Sequence, residues 1–156
     1  MDEIKIVDAS KIKMPSFKKH LADCVILTYD NRILLQKRPD NWPYSFPGTV
    51  NPFGGHVEKG ETPLQAVIRE LAEETGAKAS EQDLLFVGAV SESFTNHTEL
   101  VHIYFWHDKE NTITGCYEGE AISFDTVEDA LAHPKIMPYA RWALEECQRK
   151  GWLVAP

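Results

Sequence analysis

Residues 62–77, TPLQAVIRELAEETGA, constrain the fold more than any other stretch, because both ends of a helix are written into them. Thr62 can cap the first turn with its hydroxyl, Pro63 suits the first helical position, and Gln65 can close a capping box. Gly76 is a C-terminal stop. At about 100° per residue, Leu64, Val67, Ile68, Leu71 and Thr75 share one stripe, the face that packs. Glu70, Glu73 and Glu74 fall on the opposite and flanking sides. Like charges three and four residues apart on a helix repel by a few tenths of a kcal/mol per pair. Two readings account for their concentration: a solvated helix face, or a cation held between the carboxylates. Arg69, four residues before Glu73, can orient one carboxylate without filling the cluster.

The preceding segment favours the cation. GGHVEKGE (54–61) is glycine-rich and runs straight into the helix N-terminus, where backbone N–H groups favour anions. Hard divalent cations such as Mg2+ take oxygen ligands of the kind the helix supplies. A phosphate-approach loop joined to a cation-binding helix is one coherent site. A merely solvated helix would not require Gly55, Gly60 and Glu61 in front of it.

The stretch resembles the signature of the Nudix hydrolases: Gly, five residues, Glu, seven residues, then Arg-Glu-aliphatic-any-Glu-Glu-any-Gly-aliphatic. Gly55, Glu61, Arg69, Glu70, Leu71, Glu73, Glu74, Gly76 and Ala77 occupy those positions. All seven fixed positions match, and at residue frequencies of about 7% the chance probability is on the order of 10⁻⁸. Ala77 is smaller than the usual aliphatic residue, which touches packing and not chemistry.

The resemblance implies an α+β chain folded as a Nudix-type α/β/α sandwich with a mixed central sheet. It implies that Glu70, Glu73 and Glu74 hold Mg2+ or Mn2+ together with the carbonyl of Gly54. Arg69 and Glu61 would brace the loop–helix junction. An acid from a later loop often reaches back to the metals, and in CYEGEAISF the first candidate is Glu118, then Glu120; an ordinary turn carboxylate is the competing reading. The general base stays open among the helix glutamates and that later acid. The chemistry implied is metal-dependent hydrolysis of a diphosphate bond in a nucleoside diphosphate linked to X. The candidate substrates are a nucleoside triphosphate, yielding monophosphate and pyrophosphate, or a nucleotide sugar.

The remaining sequence fits one domain spanning 1–156, with residues 1–20 as an N-terminal extension. ADCVILTY (22–29) and RILLQKR (32–38) read as strands joined at Asp30-Asn31, and NWPYSFPGTVNPFGG (41–55) as an ordered loop entering a short strand. DLLFVGAVS (83–91), ELVHIYFWH (99–107) and AISF (121–124) are further strands. TVEDALAH (126–133) and PYARWALEECQRKGW (138–152) read as helices.

Substrate contacts are sought among Gly55 and Arg38 and the aromatic side chains Trp42, Tyr44, Phe46, Phe94, Tyr104 and Trp106, which could stack on a base. Ordinary packing is the bland alternative for each aromatic. His97, His102 and His107 recur every five residues, which is not a zinc arrangement. Nudix ADP-ribose pyrophosphatases tend to carry a proline about fifteen residues beyond the box, and this chain has none between Pro63 and Pro134. Diadenosine polyphosphate hydrolases tend to place a tyrosine there; Phe94 is nearby, with no tyrosine between the box and Tyr104.

Two rival classes are weighed against hydrolysis. Isopentenyl diphosphate isomerases, which resemble Nudix proteins, have a cysteine where this chain has Gly54 in NPFGGH. Non-catalytic nucleotide sensors usually lose box glutamates, and all four are present. A formal net charge of −8 argues against coating long nucleic acid, and the lysines at 11, 13, 18 and 19 read as a solvated segment. Three widely spaced cysteines read as reduced thiols, the start lacks a secretory pattern, and no apolar run reaches membrane-spanning length. A cytoplasmic protein acting on a small nucleotide, without membrane, is expected. The resemblance also allows a homodimer.

Overall fold

The computed structural model describes residues 4–7, 16–42 and 46–153. Eight strands among them form one mixed sheet. These are β1 (Ile4–Val7), β2 (Lys19–Leu27), β3 (Ile33–Lys37), β4 (Val50–Asn51), β5 (Phe53–His56), β6 (Leu85–Glu92), β7 (Glu99–His107) and β8 (Glu120–Phe124). Three α-helices accompany them: α1 (Pro63–Thr75), α2 (Val127–Leu131) and α3 (Pro138–Arg149).

The central path runs β1-β6-β7-β2-β3-β4, with β5 attached to β2 and β8 to β3. Strand β2 organises it. One edge pairs parallel with β7 along its whole length, from Lys19↔Glu99 to Leu27↔His107. The other edge is shared: its first half pairs antiparallel with β5 (Asp23↔Gly54) and its last residues with β3 (Leu27↔Ile33). The segment before the acidic helix is therefore part of the sheet, not a free loop.

Alternation along the strands sends side chains to two cores, one on each face. Ala22, Cys24 and Ile26 meet Phe53, Ala66, Val67 and Leu71 beneath α1. Val25, Leu27, Ile103 and Phe105 meet Ala140, Ala143 and Leu144 of α3. This is the expected sandwich of a sheet between helices.

Helix α1 has the ends read from its sequence. Thr62 accepts from the Gln65 amide, Gln65 returns a bond to the Thr62 amide, and Gly76 takes the left-handed conformation at φ 74°. Several boundaries shift by two or three residues from expectation, as where β2 starts at Lys19 and not at 22 and α2 ends at Leu131 and not at 133, and two differences have a clear cause or consequence. Helix α3 ends at Arg149 and not at 152, because Gly151 at φ 76° turns the chain back and the Trp152 amide bonds the Cys147 carbonyl at 3.0 Å. Residues 4–7, read as an extension, form an edge strand on β6, with Ile6 opposite Val90. Among the described residues no helix is long and apolar enough to cross a membrane. The expectations placed on Lys11, Lys13 and Tyr44 lie outside the described residues.

Candidate active site

Arg69 joins the glycine-rich segment to the acidic helix. Its Nε and Nη2 donate to the two carboxylate oxygens of Glu61 at 2.8 and 3.0 Å, and Nη2 also donates to the His56 carbonyl at 3.0 Å. Its Nη1 donates to Glu70 at 2.9 Å and to Glu73 at 3.3 Å. The Glu58 amide adds a bond to Glu61 at 3.0 Å. The Arg69 bonds, helped by that amide, hold the Glu61 carboxyl down at about 2. The pairing expected of Arg69 and Glu61 is present, and it is bidentate.

The three helix carboxylates do not share one environment. Glu74 follows Leu71 by three residues and Val67 by seven, so it lies at the flank of the packed stripe and is 2% exposed. Its Oε2 accepts from Gln36 Nε2 at 3.2 Å, and its Oε1 is buried with no hydrogen-bond partner. Burial, then the charges of Glu118 and Glu70, pushes Glu74 up to about 9. Burial also raises Glu70, although Arg69 opposes the shift. Glu73 points outward, its side chain 59% exposed. Among the described residues no three acidic, histidine or cysteine side chains already converge on one point, since Glu70 and Glu73 are both turned onto Arg69.

Gly55 lies against Glu70: a Cβ there would stand 2.6 Å from the carboxyl carbon. Only glycine lets the backbone of β5 approach this carboxylate so closely. The loop before β8 is tied to the end of α1, with the Thr114 amide bonding the Thr75 carbonyl and the Tyr117 amide bonding the Glu74 carbonyl, each at 2.8 Å. Those bonds bring Glu118 beside the site. Gln36 also donates to the Glu118 carbonyl at 2.7 Å, so one amide links β3, α1 and this loop.

A cavity of about 410 Å³ opens over the arrangement, lined by Gln36, Arg38, Trp42, Gly54, Gly55 and Glu118 among others. Of the side chains considered as substrate contacts, Arg38 and Trp42 reach it. Phe46 packs, partly buried, against the α3-side core. Tyr104 is 9% exposed in the α1-side core, edge-on to Phe86 with ring centroids 5.5 Å apart, and does not line the cavity. Trp106 is buried in the same core. Phe94 belongs to the turn Ser93–Thr95, and its side chain lies outside the described residues. His102 bonds His20, with the ring nitrogens 2.9 Å apart.

Sequence reasoning passed over Gln36, Asp23 and Tyr139. Asp23 is 5% exposed, stands opposite Gly54 in the β2–β5 register, and accepts a bond from the Tyr139 hydroxyl. Burial pushes it up to about 7, against that bond and the charge of Arg38. The available signal was an acid inside the apolar run ADCVILTY.

As a donor set, Glu70, Glu73, Glu74 and Glu118 offer only oxygen, which suits a hard divalent cation. The partnerless Oε1 of Glu74 and the mutual repulsion around it are what a bound cation would relieve. The residues fit such an ion.

A family model described as the NUDIX domain matches residues 18–145. The CTP pyrophosphohydrolase of Escherichia coli (strain K12) is 31% identical over 116 residues, 70% of this chain and 77% of that protein. The ADP-ribose pyrophosphatase of Methanocaldococcus jannaschii is 41% identical over 85 residues, 53% of this chain and 48% of that protein. Among solved structures, a MutT protein from Methanosarcina mazei Go1 superposes with a TM-score of 0.70 at 20% identity, covering 89% of this chain and 99% of that one. That last likeness carries the fold alone.

Proposed function

The chain belongs to the NUDIX family and is a pyrophosphohydrolase, and from that premise we infer that it cleaves a diphosphate bond in a nucleoside triphosphate, releasing monophosphate and pyrophosphate. The observation that carries the reading is Glu74: a buried carboxylate with a partnerless oxygen, beside Glu70 and behind a cavity edged by Gly54 and Gly55. Stability alone does not account for such a group, because leaving it unsatisfied costs about 1–3 kcal/mol.

Glu70, Glu73, Glu74, Glu118 and the Gly54 carbonyl would hold Mg2+ or Mn2+. Such an ion, once bound, neutralises the diphosphate oxygens and lowers the pKa of an attacking water. The protein's own groups do the rest. Arg69 and Glu61 fix the turn after Gly55, so the backbone of 54–56 stays at a set distance from the carboxylates. Gln36 orients Glu74 and keeps its second oxygen turned away from itself. A carboxylate of this cluster takes the water's proton. Arg38 and Trp42 meet the nucleotide end of the substrate, the first as a charge and the second as a stacking surface.

The likeness to a CTP pyrophosphohydrolase supports a triphosphate, and the shorter likeness to an ADP-ribose pyrophosphatase keeps that compound in the test. Product release would be followed with Mg2+ across nucleoside triphosphates, nucleotide sugars, ADP-ribose and dinucleoside polyphosphates, for the wild type and for Glu73→Gln and Glu74→Gln. Metal-dependent release of pyrophosphate, lost in both variants, is expected. Turnover of ADP-ribose or a nucleotide sugar in place of triphosphates would change the substrate. No turnover with tight nucleotide binding would make the domain a sensor.

A further inference from the structure

A second cleft, of about 510 Å³, opens beside the first and shares His56 with it. Lys18 and Lys19 stand on one wall, at the start of β2, and Lys59 on the other, in the turn before α1; all three are exposed. On a chain with net charge −8, three lysines against two lining carboxylates leave this cleft a formal net charge of +1. The two acids on the same wall are turned onto Arg69 and not onto the lysines. Glu61 is held by Arg69 at 2.8 Å, and Glu58 lies 3.9 Å from the same guanidinium. Among the described residues, none of the three lysines pairs with a carboxylate, a state they share with Lys78, Lys109 and Lys150, so what sets them apart is that they line one cleft.

The order of groups along the surface is informative. Trp42 and Arg38 line the first cavity, Gly54 and Gly55 sit against the carboxylates, His56 is common to both clefts, and the lysines follow. From Gly54, which faces Asp23, to Lys19 is four residues of β2, about 13 Å of strand. Lysine side chains reach back along much of that span, so a group just beyond the reacting diphosphate comes within their range.

We propose that this lysine cleft seats an anionic leaving group, pyrophosphate or a longer polyphosphate, and thereby selects nucleoside triphosphates over substrates whose leaving group ends in a neutral sugar. The assignment rests on the hydrolase reading above and names its substrate class. The lysines act as mobile point charges rather than as a planar fork, which suits a terminal phosphate free to rotate. A neutral sugar in the cleft would displace water from three ammonium groups and return no charge to them.

Two measurements test this, and they separate it from the hydrolase reading. The first is binding of inorganic tripolyphosphate to the metal-free protein, followed by amide NMR shifts and calorimetry. Shifts at Lys18, Lys19, His56 and Lys59 are expected, with affinity at least about tenfold weaker in the Lys18→Gln, Lys19→Gln, Lys59→Gln triple variant and a shallower dependence on salt. Shifts elsewhere, or unchanged affinity in the triple variant, overturn the cleft. The second is kcat/KM of the same triple variant on a nucleoside triphosphate and on the matching nucleotide sugar. A loss of about tenfold or more on the triphosphate, with less than about twofold on the sugar, is expected. Equal loss on both, or none on either, overturns the selectivity. A wild type that binds tripolyphosphate at the lysines but hydrolyses nothing keeps the cleft and removes the hydrolase. A wild type that turns over substrates with the lysines silent does the reverse. The positions are exposed, so the substitutions leave the core packing untouched.

Discussion

Arg69 grips Glu61 with two nitrogens, Nε at 2.8 Å and Nη2 at 3.0 Å, and so ties the end of the segment that connects β5 to α1 onto the helix itself. This contact sets how the glycine backbone meets the acidic helix. Arg69→Lys keeps the charge but cannot reproduce the fork or the third bond to the His56 carbonyl. Hydrogen bonds to charged groups are worth about 1.5–3 kcal/mol each when intact and paired. The variant is expected to lose about 1–3 kcal/mol in urea unfolding and at least about tenfold in kcat. Unchanged activity with normal stability would remove Arg69 from the bracing role.

The same contact has an acid limb. Glu61 sits at about 2 in the folded protein, chiefly through the Arg69 bond, against an ordinary value of 4.5. A depressed acid binds protons more readily when unfolded, so its stabilisation is complete above about 4.5 and is lost as pH falls through 2. Melting temperature should decline across that window, and Glu61→Gln should flatten the decline. The side chain is part-exposed, so the slope is expected to weaken in high salt. A variant with the wild-type slope would place the acid sensitivity elsewhere.

Glu74 has the opposite sign. Burial raises it from 4.5 to about 9, so the metal-free fold holds a proton that the unfolded chain releases. Its contribution is most favourable at low pH and is lost as pH rises from 4.5 through 9. In the presence of a chelator at pH 8, Glu74→Gln is expected to melt higher than the wild type, by about 1–3 kcal/mol in stability. Its hydrolysis should fall by about 10²-fold or more, since metal-site charge stabilisation is worth several kcal/mol. A variant that is both less stable and fully active would contradict both halves.

Adding Mg2+ or Mn2+ should raise the melting temperature, and more at pH 8 than at pH 5, because ligands must be deprotonated to bind. At 100 times Kd the gain is about 2.7 kcal/mol. Calorimetry in two buffers of different ionisation enthalpy would detect the released proton. Stabilisation independent of pH would mean that Glu74 stays protonated and outside the metal site.

Gly55→Ala places a methyl group 2.6 Å from the Glu70 carboxyl carbon. Either Glu70 leaves Arg69 or β5 shifts against β2. The expected result is weaker metal binding with a smaller loss of stability, read by metal titration and urea unfolding side by side. Wild-type metal affinity would show that the close approach is incidental.

Local rules made α1 legible: Thr62, Gln65 and Gly76 act on neighbours three or four residues away, so their roles need no knowledge of the rest of the chain. The motif residues were legible for the same reason. Pairing of β2 with β7 was not, because the partners are some eighty residues apart and no local term encodes it. Tyr104 shows the limit of alternation, which separates two faces of a strand but cannot say which one a ligand sees. Asp23 and Gln36 were hidden inside apolar runs, where a single polar residue acquires meaning only from what the sheet places against it. Glu74 does lie on the flank of the stripe, but that the flank buries it depends on what the fold brings against it, Gln36 of β3 and the loop before β8.

Strand β2 divides its second edge between β5 and β3, so the carboxylate-facing glycines are held by the same ladder as the core, while Trp42, Lys18 and Lys59 lie outside strands and helices. That separation makes the scaffold modular in an engineering sense. A library confined to those peripheral positions would sample new substrates without disturbing the reacting centre, whereas randomising 53–56 would draw its variants mainly from misfolded protein.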